Sequence, residues 1–310
     1  MKKTLQIQNS PTHLIYFKGR RVFLKRDDLL DERFSGNKAR KLFFLLKEQS
    51  TPKKILISRG SILSNAMYSL SVLAKMKGWR FIYYAHHRLP HLINHPEGNL
   101  KASLQNGMEL EFGSFSSKED FWRASKSRFG EDSIIVDEGG RELESWIGIY
   151  QLAKEIRSWA KTKPSFNKKV FLPSGTGTTA LFLSKFFIEN EEDIKVFTTP
   201  CVSRREYLLE QFGYLESESR FYPEILESTK RYRFGKLYPE FYKVWLELQK
   251  ETGVEFELLY DPLGWLVMQE FEEILTDGTL YIHQGGLLGN ETMSKRYKKL
   301  LGDRFDKDFK

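Results

Sequence analysis

The stretch KVFLPSGTGTTALFLSKFFIE, residues 169–189, has the pattern of a short apolar strand, a glycine-rich turn and a helix in direct succession. Glycines in such a turn let backbone amides converge, threonines add hydroxyl donors, and the helix N-terminus adds partial positive charge. These groups together predict an anion site whose natural occupant is a phosphate. The predicted members are Ser174, Gly175, Thr176, Gly177, Thr178 and Thr179.

Two other interpretations of the turn compete with a phosphate site. Gly175, Gly177 and Ala180 also satisfy the dinucleotide pattern G-x-G-x-x-G/A. That interpretation fails one test, because the next strand, IKVFTTP, lacks the acidic residue that would bond a ribose hydroxyl. No lysine follows the turn, as a nucleotide P-loop requires. A glycine turn that only packs a strand against a helix remains an alternative.

Apolar strand patterns alternate with helical patterns on both sides of this stretch. The helical pattern from Ser64 to Lys77 ends at Gly78, and another runs from Glu144 to Lys161. Such alternation predicts a mostly parallel, doubly wound α/β fold. A β-hairpin of LIYF and VFLKR precedes it, without an indication of which sheet it joins. The predicted strands are 54–58, 80–85, 108–112, 133–137, 169–173, 194–199, 258–260 and 279–283.

The composition is that of an ordinary globular chain: 310 residues, 40% hydrophobic and 29% charged. No window approaches the ~18 apolar residues of a membrane span, and the N-terminus lacks the apolar core of a signal peptide. A single cysteine, Cys201, fits a reducing cytoplasm. The net charge of +8 could favour phosphate-bearing partners, but the basic residues are scattered. We therefore expect no nucleic-acid or membrane partner.

A second motif, FSGNKARKLFFLL at residues 34–46, delivers Lys38 to the start of an amphipathic helix. The positive end of the helix dipole and partial burial would both lower the pKa of this lysine, which makes an amine nucleophilic toward carbonyls. Taken alone, a solvated lysine is the simpler interpretation. The predicted buried side of the helix consists of Leu42, Leu45 and Leu46.

Polar residues also follow other predicted strands, where α/β sheets bind ligands. Ser64 and Asn65 stand at a helix start, either as simple caps or as a grip on a substrate carboxylate. Gln284, before a glycine pair, has an amide able to bond a ring nitrogen or oxygen. We assign no metal site to the histidines near residue 90, because Pro90 and Pro96 interrupt the helix that would align them.

The order of these motifs is more specific than any one of them. It runs KRDDLL, SGNKARKL, a Ser-Asn pair at a helix start, EGNL, DEGG, SGTGTT and IHQGG. It resembles the pyridoxal-phosphate enzymes of the tryptophan synthase β-subunit fold, known as fold type II. Within them it resembles the 1-aminocyclopropane-1-carboxylate deaminase and D-cysteine desulfhydrase family. The match extends from about Asn9 to Asn290, and SGNKxRKL is its most specific element.

The resemblance implies specific roles. Lys38 would bind pyridoxal 5'-phosphate covalently and move a proton, Asn65 would contact the ring hydroxyl, and Ser64 would meet the substrate carboxylate or act as a nucleophile. Residues 174–179 would be the phosphate loop. We further expect a small α/β domain, residues 53–140, inserted into a larger cofactor-binding domain of residues 1–52 and 141–310. A homodimer is expected from the resemblance alone.

Two departures from the family bear on the substrate. Relatives read Asp-Pro-Val-Tyr and then Thr-Gly or Glu-Gly, whereas this chain reads YDPLGWLVM, with Gly264 and Trp265 near the tyrosine position. Tyr260 is the candidate substitute for the catalytic tyrosine. Gln284 replaces a threonine or leucine and is expected to face the pyridine nitrogen.

These departures favour β-elimination over opening of a cyclopropane ring, because elimination needs only removal of the α-proton by Lys38 and departure of a thiol or hydroxyl. We therefore expect a deaminase or desulfhydrase that releases ammonia and a 2-oxo acid from a small amino acid. A non-catalytic cofactor- or metabolite-binding protein on the same fold is the alternative.

Overall fold

The computed structural model describes residues 9–34, 36–47 and 54–302. Ser35 of the SGNK motif and the expected domain boundary at residues 52 and 53 therefore lie outside the described part of the chain. No helix in these ranges is long and apolar enough to cross a membrane.

The larger sheet is parallel except for its first pair of strands, which form the predicted antiparallel hairpin. The hairpin thus joins this sheet, a membership that the sequence left open. In spatial order the strands are β1 (Thr12–Phe17), β2 (Arg20–Arg26), β10 (Leu280–His283), β7 (Lys169–Ser174), β8 (Lys195–Pro200) and β9 (Glu224–Ile225).

The smaller sheet is entirely parallel. All of its strands lie within the segment expected to form the inserted domain, and the domain division itself remains a prediction. In spatial order they are β5 (Met108–Phe112), β4 (Arg80–Ala85), β3 (Ile55–Gly60) and β6 (Ile134–Val136).

Helices cover both faces of each sheet. On β7, Val170 and Leu172 enter one apolar core and Phe171 enters another, as the two-residue period of a strand requires. The helices are α1 (Gly36–Lys41), α2 (Phe43–Lys47), α3 (Asn65–Lys77), α4 (Pro90–Asn94), α5 (Gly98–Gln105), α6 (Lys118–Phe129), α7 (Trp146–Ala160), α8 (Thr178–Glu189), α9 (Arg205–Gly213), α10 (Pro239–Thr252), α11 (Asp261–Glu270) and α12 (Asn290–Leu301).

Three local predictions are wrong. Residues 258–260 form a turn into α11 instead of a strand, because the Glu257 carboxylate accepts hydrogen bonds from the amides of Leu259 and Tyr260. The helix that begins before Lys38 breaks at position 42, giving α1 and α2. Pro90, which we expected to interrupt a helix, instead begins a short one, α4, because proline suits the first helical turn.

Candidate active site

The turn between β7 and α8 has the geometry of an anion site. Gly177 adopts a φ of +71°, and a β-carbon built on it would lie 2.4 Å from the Phe212 ring. Only glycine fits this position without displacement. The hydroxyl of Thr179 is buried and has no hydrogen-bond partner within the described ranges. The turn therefore combines a helix N-terminus with an unpartnered hydroxyl.

Lys41 is a site residue that the sequence reasoning missed. Its ammonium donates to the Thr176 hydroxyl at 3.1 Å and to the Gly139 carbonyl at 3.2 Å. Burial lowers the pKa of Lys41 well below its usual value, and the positive charges of Lys38 and Arg141 act in the same direction. The signal was present, because residues three apart in a helix share a face and Lys41 follows Lys38 by three.

Lys38 lies near Lys41 and Glu257 in a desolvated environment. Desolvation lowers the pKa of Lys38 to about 8, and the nearby carboxylate of Glu257 opposes the shift. The Lys38 ammonium donates to Oδ1 of Asn37 at 3.1 Å. An amine with this pKa is unprotonated in about a tenth of the molecules at pH 7, far more often than an ordinary lysine, so it can act as a nucleophile or a base.

Gln284 links Asn37 to the end of β7. Its Nε2 donates to the Pro173 carbonyl at 2.7 Å, and its Oε1 accepts from Nδ2 of Asn37 at 3.0 Å. Both polar atoms of the amide are therefore engaged with the protein. Its expected contact with a pyridine nitrogen remains a prediction.

Ser64 and Asn65 occupy the start of α3, facing the end of the larger sheet. The Ser64 hydroxyl accepts from the amides of Ala66 and Met67 and is thus the N-cap. Asn99 donates to Oδ1 of Asn65 at 2.8 Å. A β-carbon on Gly286 would lie 2.5 Å from Nδ2 of Asn65, so the glycine leaves room for this side chain.

Tyr260, and not Trp265, lies against the glycine-rich turn. A β-carbon built on Gly175 would lie 3.4 Å from Cε1 and 3.5 Å from the hydroxyl of Tyr260. Trp265 is fully buried and stacks on Tyr281 with ring centroids 4.6 Å apart. The order acid, apolar, apolar, tyrosine at residues 257–260 matches Asp-Pro-Val-Tyr, a correspondence that the sequence reasoning overlooked.

Comparison with known proteins places the chain among relatives of similar length. No family model matches it. It is 22% identical to "Putative 1-aminocyclopropane-1-carboxylate deaminase" of Thermotoga maritima, over 90% of this chain and 92% of that protein. It is 24% identical to a protein of the same name from Pyrococcus horikoshii, over 87% and 86% of the two chains.

Solved structures share the fold. A homologue of ACC deaminase superposes with a TM-score of 0.76 at 21% identity, covering 96% of each chain. A hydrogen sulfide-producing enzyme of Fusobacterium nucleatum gives 0.65 at 14% identity, over 91% of this chain and 97% of that one. The T.th. threonine deaminase gives 0.64 at 14% identity, over 91% and 92%. The predicted α/β class and fold type II are confirmed, as is the resemblance to the 1-aminocyclopropane-1-carboxylate deaminase and D-cysteine desulfhydrase family.

Proposed function

We propose that this chain, a relative of the 1-aminocyclopropane-1-carboxylate deaminases, is a pyridoxal-phosphate-dependent lyase acting on a small amino acid. It would remove the α-proton and a β-substituent and release ammonia and a 2-oxo acid. The observation that carries this proposal is the contact of Lys41 and Tyr260 with the turn at residues 174–179, with the desolvated Lys38 close enough to Lys41 for their charges to interact.

The residues present fit the cofactor. A phosphate dianion would be an anionic partner for the Lys41 ammonium, because the charges that now act on this group are those of two other cations. The unpartnered Thr179 hydroxyl and the α8 amides would complete its hydrogen bonds. Asn65 would contact the ring hydroxyl, and Tyr260 would help to hold the cofactor beside Gly175. When bound, the cofactor supplies the electron sink for loss of the α-proton.

Lys38 would take that proton. Desolvation keeps its pKa at about 8, close to working pH, where a general base is most effective. Ser64 accepts two amide hydrogens as the helix cap, so its own O–H remains available to donate to Tyr83 or to a substrate carboxylate. Lys38, Ser64 and Tyr260 are therefore the residues that we propose to be catalytic.

The alternative of a non-catalytic binding protein rested on the tyrosine missing from its usual place. Tyr260 against Gly175 removes that reason and supports catalysis. The homodimer and the cytoplasmic location remain predictions.

The first test is a visible absorption spectrum of the purified protein with pyridoxal phosphate, before and after borohydride. We expect a bound band that reduction abolishes and a pyridoxyl mass on the Lys38 peptide. Lys38→Ala should lose the label and the turnover, while Lys195→Ala, a change at an exposed lysine, should keep both. A label elsewhere, or full turnover by Lys38→Ala, would contradict the proposal.

A further inference from the structure

Glu138 lies between residues 61–64, which lead to the proposed substrate contact at Ser64, and the phosphate loop at residues 174–179. It follows β6, which pairs in parallel with β3, so it emerges at the same sheet edge as residues 61–64. A β-carbon on Gly60 would lie 3.1 Å from Oε1 of Glu138 and 2.7 Å from the Tyr83 hydroxyl. On its other side, a β-carbon on Gly139 would lie 3.0 Å from Cγ2 of Thr176.

The negative charge of Glu138 is not neutralised by a lysine or arginine. Within the described ranges its ion-pair contact is with Nε2 of His86, at 3.8 Å, and its side chain is 56% exposed. The cations nearby pair instead with the preceding residue, Asp137. Those cations are Arg59, Lys118 and Arg141.

The charge of Glu138 acts on the space that Tyr260 lines. Burial, followed by the charge of Glu138, raises the pKa of Tyr207 to about 12. Burial and the same charge raise the pKa of Tyr83. For Tyr260, burial raises the pKa most, and the charges of Glu257 and Glu138 act in the same direction. The charge of Glu138 therefore acts on phenols from β4, α9 and the turn before α11, and of these the Tyr83 hydroxyl shares with Glu138 the space next to Gly60.

We propose that Glu138 selects amino acids that carry an ammonium group on the β-carbon, an inference that rests on the proposed lyase function. A carboxylate in the cleft repels the substrate's own carboxylate, which the start of α3 would hold at Ser64. It attracts a cation on the carbon next to Cα through a charge-assisted hydrogen bond. A neutral thiol or hydroxyl gains no such interaction.

The chemistry balances without an oxidant or an added acid. Lys38 takes the α-proton, the Cα–H electron pair forms the Cα=Cβ bond, and the Cβ–N bond breaks with its electrons left on nitrogen. Because a β-ammonium already carries its protons, it departs as ammonia. The Cα=Cβ product gains a proton on Cβ, which balances the proton that Lys38 took, and becomes an imine. Water then replaces the α-nitrogen, so one diamino acid and one water give a 2-oxo acid and two molecules of ammonia.

The test compares kcat/KM of the holoenzyme for 2,3-diaminopropionate and for serine, with both enantiomers of each. We expect the diamino acid to be preferred about ten- to hundredfold, the range for a hydrogen bond between charged groups. Glu138→Gln should reduce this preference to a few fold, mainly through KM. Glu119→Gln, the same charge change at an exposed position on α6, should keep it.

The outcomes separate this proposal from the lyase function. Turnover of serine as good as that of the diamino acid would overturn the selectivity and leave the lyase function standing. A preference that survives Glu138→Gln would overturn the assignment to this residue. If neither amino acid turns over, the lyase function fails for substrates with a β-hydroxyl or a β-ammonium group. In that case the selectivity is judged from binding. It fails if 2,3-diaminopropionate does not change the cofactor spectrum at a lower concentration than serine does.

Discussion

Lys41 shows, at the scale of a single residue, how the site is prepared for an anion. Its ammonium is buried, its hydrogen-bond acceptors are neutral, and burial and the nearby cations lower its pKa. Because the pKa is lower in the folded than in the unfolded chain, the unfolded chain binds more protons at pH values between the two pKa values. The cofactor-free protein should therefore gain stability as pH rises toward the usual lysine value.

We predict that Lys41→Met raises the dissociation constant for pyridoxal phosphate at least about tenfold, since it removes a hydrogen bond between charged groups. The cofactor-free variant should be no less stable than the parent and should lose the rise of stability with pH. Absorption titration and thermal unfolding across pH measure both effects. Lys195→Met, at an exposed lysine, is the control, and an unchanged affinity in Lys41→Met would argue against a phosphate at this turn.

At the scale of elements, the start of α8 depends on the backbone of Gly177. Its φ is +71°, and a β-carbon there would overlap the Phe212 ring of α9. Gly235 has nearly the same φ, +72°, with no atom within 4 Å of the position of a β-carbon. Alanine substitution at these two positions therefore distinguishes the cost of backbone strain from the cost of steric overlap.

We predict that Gly177→Ala lowers the free energy of unfolding by about 3 kcal/mol, combining left-handed strain with overpacking. Gly235→Ala should cost only the backbone part, about 1 kcal/mol. Urea unfolding measures both, and Gly177→Ala should also weaken cofactor binding because it shifts the turn. Equal losses in the two variants would show that contact with Phe212 is unimportant.

At the scale of the whole molecule, a buried ionic cluster holds α1 on the larger sheet. Arg40, fully buried, bonds Asp27 at 2.9 Å and Glu155 of α7 at 2.7 Å. Lys25 of β2 also reaches Glu155, at 2.7 Å. The adjacent face of α1 enters the core of the smaller sheet through Ala39. The helix that carries Lys38 and Lys41 is thus fixed between the two sheets.

We predict that Arg40→Met costs about 3–5 kcal/mol of unfolding free energy, because it leaves the buried carboxylate of Asp27 without its arginine and leaves Glu155 with Lys25 alone. Arg21→Met, which breaks the exposed pair with Asp277, should cost no more than about 1 kcal/mol. Denaturant unfolding of both variants provides the comparison. Similar small losses would mean that the buried cluster does not hold α1 in place.

The sequence by itself determined what depends on neighbours along the chain. Strand alternation, the cap at Ser64 and the glycine turn at residues 174–179 follow from side-chain period and backbone freedom, which are local. The same locality explains the error at residues 258–260, where three residues with the appearance of a strand are turned by the Glu257 carboxylate. What only the tertiary structure decided is which charges meet. Lys41 reaches Thr176, Tyr260 lies on Gly175, and Asp137, not Glu138, takes Arg59 as its ion-pair partner, because these contacts join residues that are distant in sequence.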